Sequence, residues 1–64
     1  MDERWTAQRI RELRKKLGLT QTEFAKRLGY SHYIPVSDLE RGEQRPSGPV
    51  QKLLHMLEKE ARKP

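Results

Sequence analysis

His32 and His55 are the two histidines of the chain, far apart in sequence, and cysteine is absent. That set cannot assemble a structural zinc site or a disulfide, so no metal and no cofactor are implied. Few aromatic residues and no glycine-rich loop to cradle a phosphate leave little from which to wall a catalytic pocket, and an enzyme is not expected. What remains is charge. Fourteen Lys and Arg oppose nine Asp and Glu, a net +5. The excess is uneven, with +3 over residues 1–20, zero over 21–42 and +2 over 43–64. Arg14, Lys15, Lys16, Arg41 and Arg45 can frame a surface that attracts a polyanion. For Lys15 and Lys16 a solvated helix face explains the charge equally well.

Those residues need a scaffold, and 64 residues allow one small domain, spanning 1–64. With 33% hydrophobic and 36% charged residues the core must be small, stabilised by economical helix packing or by a partner. No apolar stretch approaches the roughly 20 residues of a membrane span. The opening MDERWTAQRIR has no signal-peptide apolar region, so a cytoplasmic location is expected.

Glycine and proline punctuate the chain into four helical stretches. The first runs from about Thr6 to Leu17, with Ile10, Leu13 and Leu17 on one face, Thr6 as N-cap, and Trp5 and Ile10 spaced as a hydrophobic staple. Asp2 is a rival cap. In the second, Thr20-Gln21-Thr22-Glu23 reads as a capping box, flanked by Leu19 and Phe24 as a staple. Phe24, Ala25 and Leu28 form its apolar face, and Gly29 ends it after about nine residues. Tyr30 is expected in the core. A loop over residues 30–34 leads to Pro35 at the first position of a third helix ending at about Arg41, with Ile34 pushed towards extended geometry and Gly42 as terminator. Val36 and Leu39 face its core side. Ser47 caps a fourth helix carrying Val50, Leu53, Leu54 and Leu57 on one stripe, with Met56 off it. Residues 61–64 read as a frayed polar tail.

Two short helices joined by a glycine turn, over about 20–41, have the layout of a helix-turn-helix, whose second helix enters the DNA major groove. Geometry and charge alone leave DNA binding and a structural or protein-binding role both open. The string from Ile10 through Leu19-Thr20-Gln21-Thr22-Glu23-Phe24-Ala25 to Gly29, followed by Val36-Ser37-Asp38-Leu39-Glu40-Arg41-Gly42, closely resembles the Cro and lambda-repressor-like (Xre) helix-turn-helix family. The likeness covers Ile10 to about Leu57. The chain departs from the commonest members in two ways: Gly29 to Glu40 is one residue longer, and Pro35 stands where Ser or Thr is usual. The fold implied is all-α, a small bundle of four or five helices.

The resemblance implies roles residue by residue. Gln21 resembles the family glutamine that bonds a DNA phosphate, with Thr20 beside it; the alternative is a plain polar residue at a helix start. Tyr33, Ile34, Ser37 and Asp38 fall at or beside base-facing positions, with His32 a further candidate. Ser37 can donate or accept, Asp38 can accept from a cytosine amino group, and Tyr33 or Ile34 can touch a thymine methyl. The alternative for Asp38 is a dipole-stabilising acid in the first turn, and for Tyr33 and Ile34 packing between the second and third helices. Arg41, Gln44 and Arg45 resemble phosphate-contacting residues, or else form a solvated basic loop. Arg14 and Glu40 resemble a family pair that bridges the first and third helices and holds the arginine near the DNA backbone, or is merely structural.

These roles imply a sequence-specific regulator that binds a double-stranded DNA operator, resembling a small phage or plasmid repressor that acts by steric occlusion. It would be nucleoid-associated when bound. The alternative is an antitoxin or inhibitor with a toxin-like protein partner, which an exposed apolar patch of Trp5 and Met56 would favour. A membrane-surface helix over 49–63 is disfavoured, because its polar face mixes acids with bases. Family members commonly bind as symmetric dimers, so a weak homodimer is expected, either through Met56, Leu57 and Ala61 or formed only on the operator.

Overall fold

The computed structural model describes residues 4–62, which form four helices: α1 (Ala7–Leu17), α2 (Gln21–Arg27), α3 (Ile34–Glu40) and α4 (Gly48–Arg62). No strand occurs among the described residues. The architecture is the all-α bundle that the sequence implies.

Local chemistry sets most of the boundaries. The Thr6 hydroxyl accepts from the Arg9 backbone N–H at 3.1 Å, and Trp5 and Ile10 on either side are both buried, which completes the staple. Asp2 lies outside the described residues. At the other end Gly18 takes a left-handed φ of 71°, so the N–H groups of Gly18 and Leu19 can turn back onto the carbonyls of Lys15 and Arg14. In α2 the capping box is complete. The Thr20 hydroxyl accepts from the Glu23 N–H at 3.1 Å, and the Glu23 carboxylate accepts from the Thr20 N–H at 2.9 Å.

Three boundaries differ from the sequence reading. First, α2 has seven residues rather than nine, because Leu28 already leaves helical geometry and the Tyr30 N–H returns to the Ala25 carbonyl at 2.9 Å. The connection to α3 therefore takes residues 28–33 and is longer than a tight glycine turn. Second, α3 starts at Ile34 and stops at Glu40, so Pro35 is its second residue and Ile34 is helical rather than extended. A proline there forfeits no helical bond, since the first four N–H groups have no intrahelical acceptor. The first turn closes through the Ser37 N–H on the Tyr33 carbonyl at 3.0 Å. Third, α4 continues through Arg62, and Ala61 packs against the core, so residues 61 and 62 are helix rather than tail. Lys63 and Pro64 lie outside the described residues.

α3 packs on both α1 and α2, and α4 on α1, so one core is shared by all four helices. Phe24, Ile10, Leu39, Leu54 and Val36 are its largest fully buried side chains. Tyr30, Leu17, Leu19 and Leu53 pack against it partly buried. Truncating a buried phenylalanine costs about 3–5 kcal/mol, and a chain of this length has about 3–10 kcal/mol in all. Phe24→Ala would therefore unfold a large fraction of the molecules. The core has little to spare, and polar links between the helices matter more than in a larger domain.

Candidate nucleic-acid interface

Helical spacing divides α3 into two faces. Val36, Leu39 and Glu40 are buried, and opposite them Ile34, Asp38 and the C-cap residue Arg41 form a row at spacings of four and three, with Ile34 and Arg41 exposed and Asp38 half-buried. Ile34 and the preceding Tyr33 are 51% and 50% exposed, unusually open for large apolar groups. They do not fill the space between α2 and α3. Ser37 lies half-buried at the edge of the row, and His32 is exposed in the connection.

Asp38 does not sit where a first-turn acid would. It is the fifth residue of α3, and its carboxylate accepts from Arg41 Nη2 at 2.7 Å, near the helix C-terminus. Glu43 accepts from the same nitrogen at 3.4 Å. The Asp38 hydrogen bond, and then the charge of Glu43, raise the Arg41 pKa above its ordinary value. Arg41, read from sequence as a phosphate ligand, is thus already engaged within the protein.

Behind the row lies Glu40, buried yet fully partnered. Arg14 of α1 donates to both carboxylate oxygens, Nε to Oε2 at 2.6 Å and Nη2 to Oε1 at 3.1 Å. Its Nη1 donates to the Leu19 carbonyl at 3.0 Å. Gln21, the first residue of α2, donates from Nε2 to Glu40 Oε1 at 3.4 Å. Arg11 donates to the Glu40 backbone carbonyl at 3.0 Å. One carboxylate therefore ties together α1, the start of α2 and the inner face of α3. The sequence pointed to Arg14 and Glu40; Arg11 and the Gln21 contact were missed, although Arg11 lies three residues before Arg14 and so shares its side of α1.

The other residues read as phosphate ligands are spread around this centre. Thr20 uses its hydroxyl as a cap acceptor and keeps its O–H free to donate. Gln44 and Arg45 are exposed in the connection from α3 to α4, and Arg45 has no ionic partner among the described residues. Lys15 and Lys16 are exposed near the end of α1, likewise without an ionic partner among the described residues.

Sequence reasoning missed a second cluster. Trp5 is buried, its Nε1–H donates to His55 Nε2 at 3.3 Å, and the Arg9 guanidinium lies 3.8 Å from its ring centroid. Arg9 also donates to both oxygens of Glu58 at 3.1 Å. Trp5 therefore does not join Met56 in an exposed patch, and the apolar surface expected of an antitoxin-like protein-binding face is missing from that place. Met56 stands exposed by itself, while Leu57 belongs to the core and Ala61 is half-buried, so these three do not form a contact surface together.

Among the described residues no group of three or more His, Asp or Glu side chains is placed to hold a metal, and no helix is long and apolar enough to cross a membrane. No curated protein and no solved structure matches the chain significantly. The family model described as helix-turn-helix, of the Cro-type and Xre-like class, matches residues 10–62. That span takes in all of α2, α3 and α4 and nearly all of α1, together with the Glu40 centre, and the chain belongs to this Cro-type helix-turn-helix family of DNA-binding regulatory domains.

Proposed function

We propose that the domain is a sequence-specific transcription regulator that lays α3 in the major groove of double-stranded DNA and represses by occluding the promoter it covers. The observation that carries this reading is the row of Ile34, Asp38 and Arg41, with Tyr33 at its head, on a helix whose opposite face is tied to α1 and α2 through Glu40. A short helix held rigidly from behind can present base-reading groups without paying their ordering entropy at the moment of binding. Ile34 and Tyr33 supply apolar contact for a thymine methyl, Asp38 an acceptor for a base amino proton, and Ser37 a donor or acceptor at the edge. Gln21 and Thr20 at the start of α2, with Arg14, Arg41, Gln44 and Arg45, fix the register on the phosphates.

Selection from a random double-stranded pool at near-physiological salt tests this. Enrichment of a short motif is the expected result. A palindrome with half-sites about 34 Å apart identifies a dimer on DNA, and a single site a monomer. Retention that disappears with salt and enriches no motif would reduce the interaction to charge attraction and overturn the reading.

A further inference from the structure

The row on α3 contains a feature that a simple phosphate ligand would not need. Asp38 and Glu43 both accept from the same nitrogen of Arg41, Nη2, at 2.7 and 3.4 Å. Together the three side chains carry a net charge of −1, and the segment 21–42, which holds Asp38 and Arg41, has itself no net charge. Elsewhere the exposed cations Lys15, Lys16 and Arg45 have no ionic partner among the described residues. Arg27 and Arg62, also exposed, each pair with a single carboxylate, Glu60 and Glu58, whereas Arg41 in the base-facing row meets two.

We propose that Asp38 and Glu43 form an intramolecular gate on Arg41 that suppresses binding to arbitrary DNA and releases the arginine only where Asp38 finds a base-edge donor. The gate rests on the reading of α3 as the major-groove helix. A phosphate that approaches Arg41 on an arbitrary sequence meets two carboxylates already on the guanidinium, so the contact is largely cancelled. Where the groove offers an amino proton, from cytosine N4 or adenine N6, Asp38 exchanges its Arg41 partner for the base and the guanidinium turns to the backbone. Arg41 is 57% exposed, so the pair itself is weak, and what separates sequences is whether the released Asp38 gains a base donor or is left as a bare carboxylate beside a phosphate. Where the base edge within reach of Asp38 belongs to guanine or thymine, which present only acceptors there, Asp38 has no replacement donor, and the pair stays closed. Discrimination then comes from lowered non-specific affinity as well as from a matched contact.

The test is a salt titration of binding to a random-sequence duplex of about 20 base pairs, with wild type, Asp38→Asn, Glu43→Gln, Arg41→Gln and the double variant Asp38→Asn/Arg41→Gln. Asp38→Asn and Glu43→Gln are expected to raise affinity for this probe by roughly 3- to 10-fold. They should also steepen the salt dependence by about 0.9 in log–log slope, one added phosphate contact. In the Arg41→Gln background most of the Asp38→Asn gain should vanish. An equal gain with or without Arg41 would mean plain repulsion by the carboxylate and would overturn the gate, as would weaker binding by Asp38→Asn. Loss of every duplex interaction in all five proteins, with their helical circular dichroism intact, would instead overturn the DNA reading and the gate with it.

Discussion

Arg14 holds Glu40 at both carboxylate oxygens, and Glu40 is the one buried charged residue among those described. A buried carboxylate is costly to leave unpaired, and so is the arginine that faces it, so the pair matters most when half of it is removed. Glu40→Ala should cost about 3 kcal/mol and lower the melting temperature by roughly 12–24 °C. Glu58→Ala is the comparison. Glu58 also pairs bidentately with an arginine, but it is only half-buried, and without it Arg9 keeps the Trp5 ring. Its loss should cost about 1 kcal/mol or less. Thermal circular dichroism of the two variants decides, and equal drops would refute the special standing of Glu40.

Gln21 and Ile34 should separate affinity from preference. Gln21 sits at the start of α2, where it is proposed to touch phosphate, and Gln21→Ala should weaken binding to all sequences alike. Ile34→Ala, Tyr33→Ala or Ser37→Ala should instead change preference at one base pair by about 1–3 kcal/mol. Competition binding against single-substitution duplexes distinguishes the two patterns. Unchanged preference in all three would remove α3 from the groove.

Glu23 gives a prediction with a sign. The Thr20 backbone N–H is the largest cause that lowers its pKa below the ordinary 4.5, followed by the Thr20 side chain. A carboxylate depressed in the folded state contributes stability that is fully present above its unfolded pKa and is lost as pH falls through the folded one. Glu23→Gln keeps a box acceptor that does not titrate. The stability advantage of wild type over Glu23→Gln should therefore shrink between about pH 6 and about pH 3, read from thermal melts of both proteins. A constant difference would mean that the charge of Glu23 adds nothing to the cap.

The helices themselves were legible because their signals are local. Thr6, Thr20 and Ser47 cap through bonds spanning three residues, and Gly18, Gly29 and Gly42 all take left-handed φ at helix ends. The start of α3 was misplaced because the pressure of Pro35 on Ile34 is a preference, which the packing of Val36 and Leu39 and the closing turn at Tyr33 override. Long-range polar contacts left no trace in spacing. Gln21 to Glu40, and Trp5 to His55, join residues that only the finished fold brings together. Arg14 with Glu40 was readable through a family likeness, whereas nothing in the order of residues pointed to Arg9, Trp5, His55 and Glu58 as one cluster. The pairing of Asp38 with Arg41 lay within reach, being an acid and a base three residues apart on one helix face.

That cluster fastens the residues before α1 onto α4, and Trp5 is its centre. The ring is covered on one side by the Arg9 guanidinium and meets His55 edge-on, with centroids 5.3 Å apart. Two contributions can be separated there: burial of the ring, and the polar contacts made through its N–H and its π face. Trp5→Ala removes both and should cost about 3–5 kcal/mol, enough in so small a domain to leave much of it unfolded. Trp5→Phe keeps most of the buried surface but gives up the donor to His55 and weakens the stacking with Arg9, and should cost about 1 kcal/mol. His55→Ala should cost less again, because His55 is exposed and water can reach the vacated acceptor site. Chemical denaturation of the three variants gives the order. If Trp5→Phe proved as damaging as Trp5→Ala, the hydrogen bond and the cation contact, rather than the buried ring, would be what anchors α1 to α4.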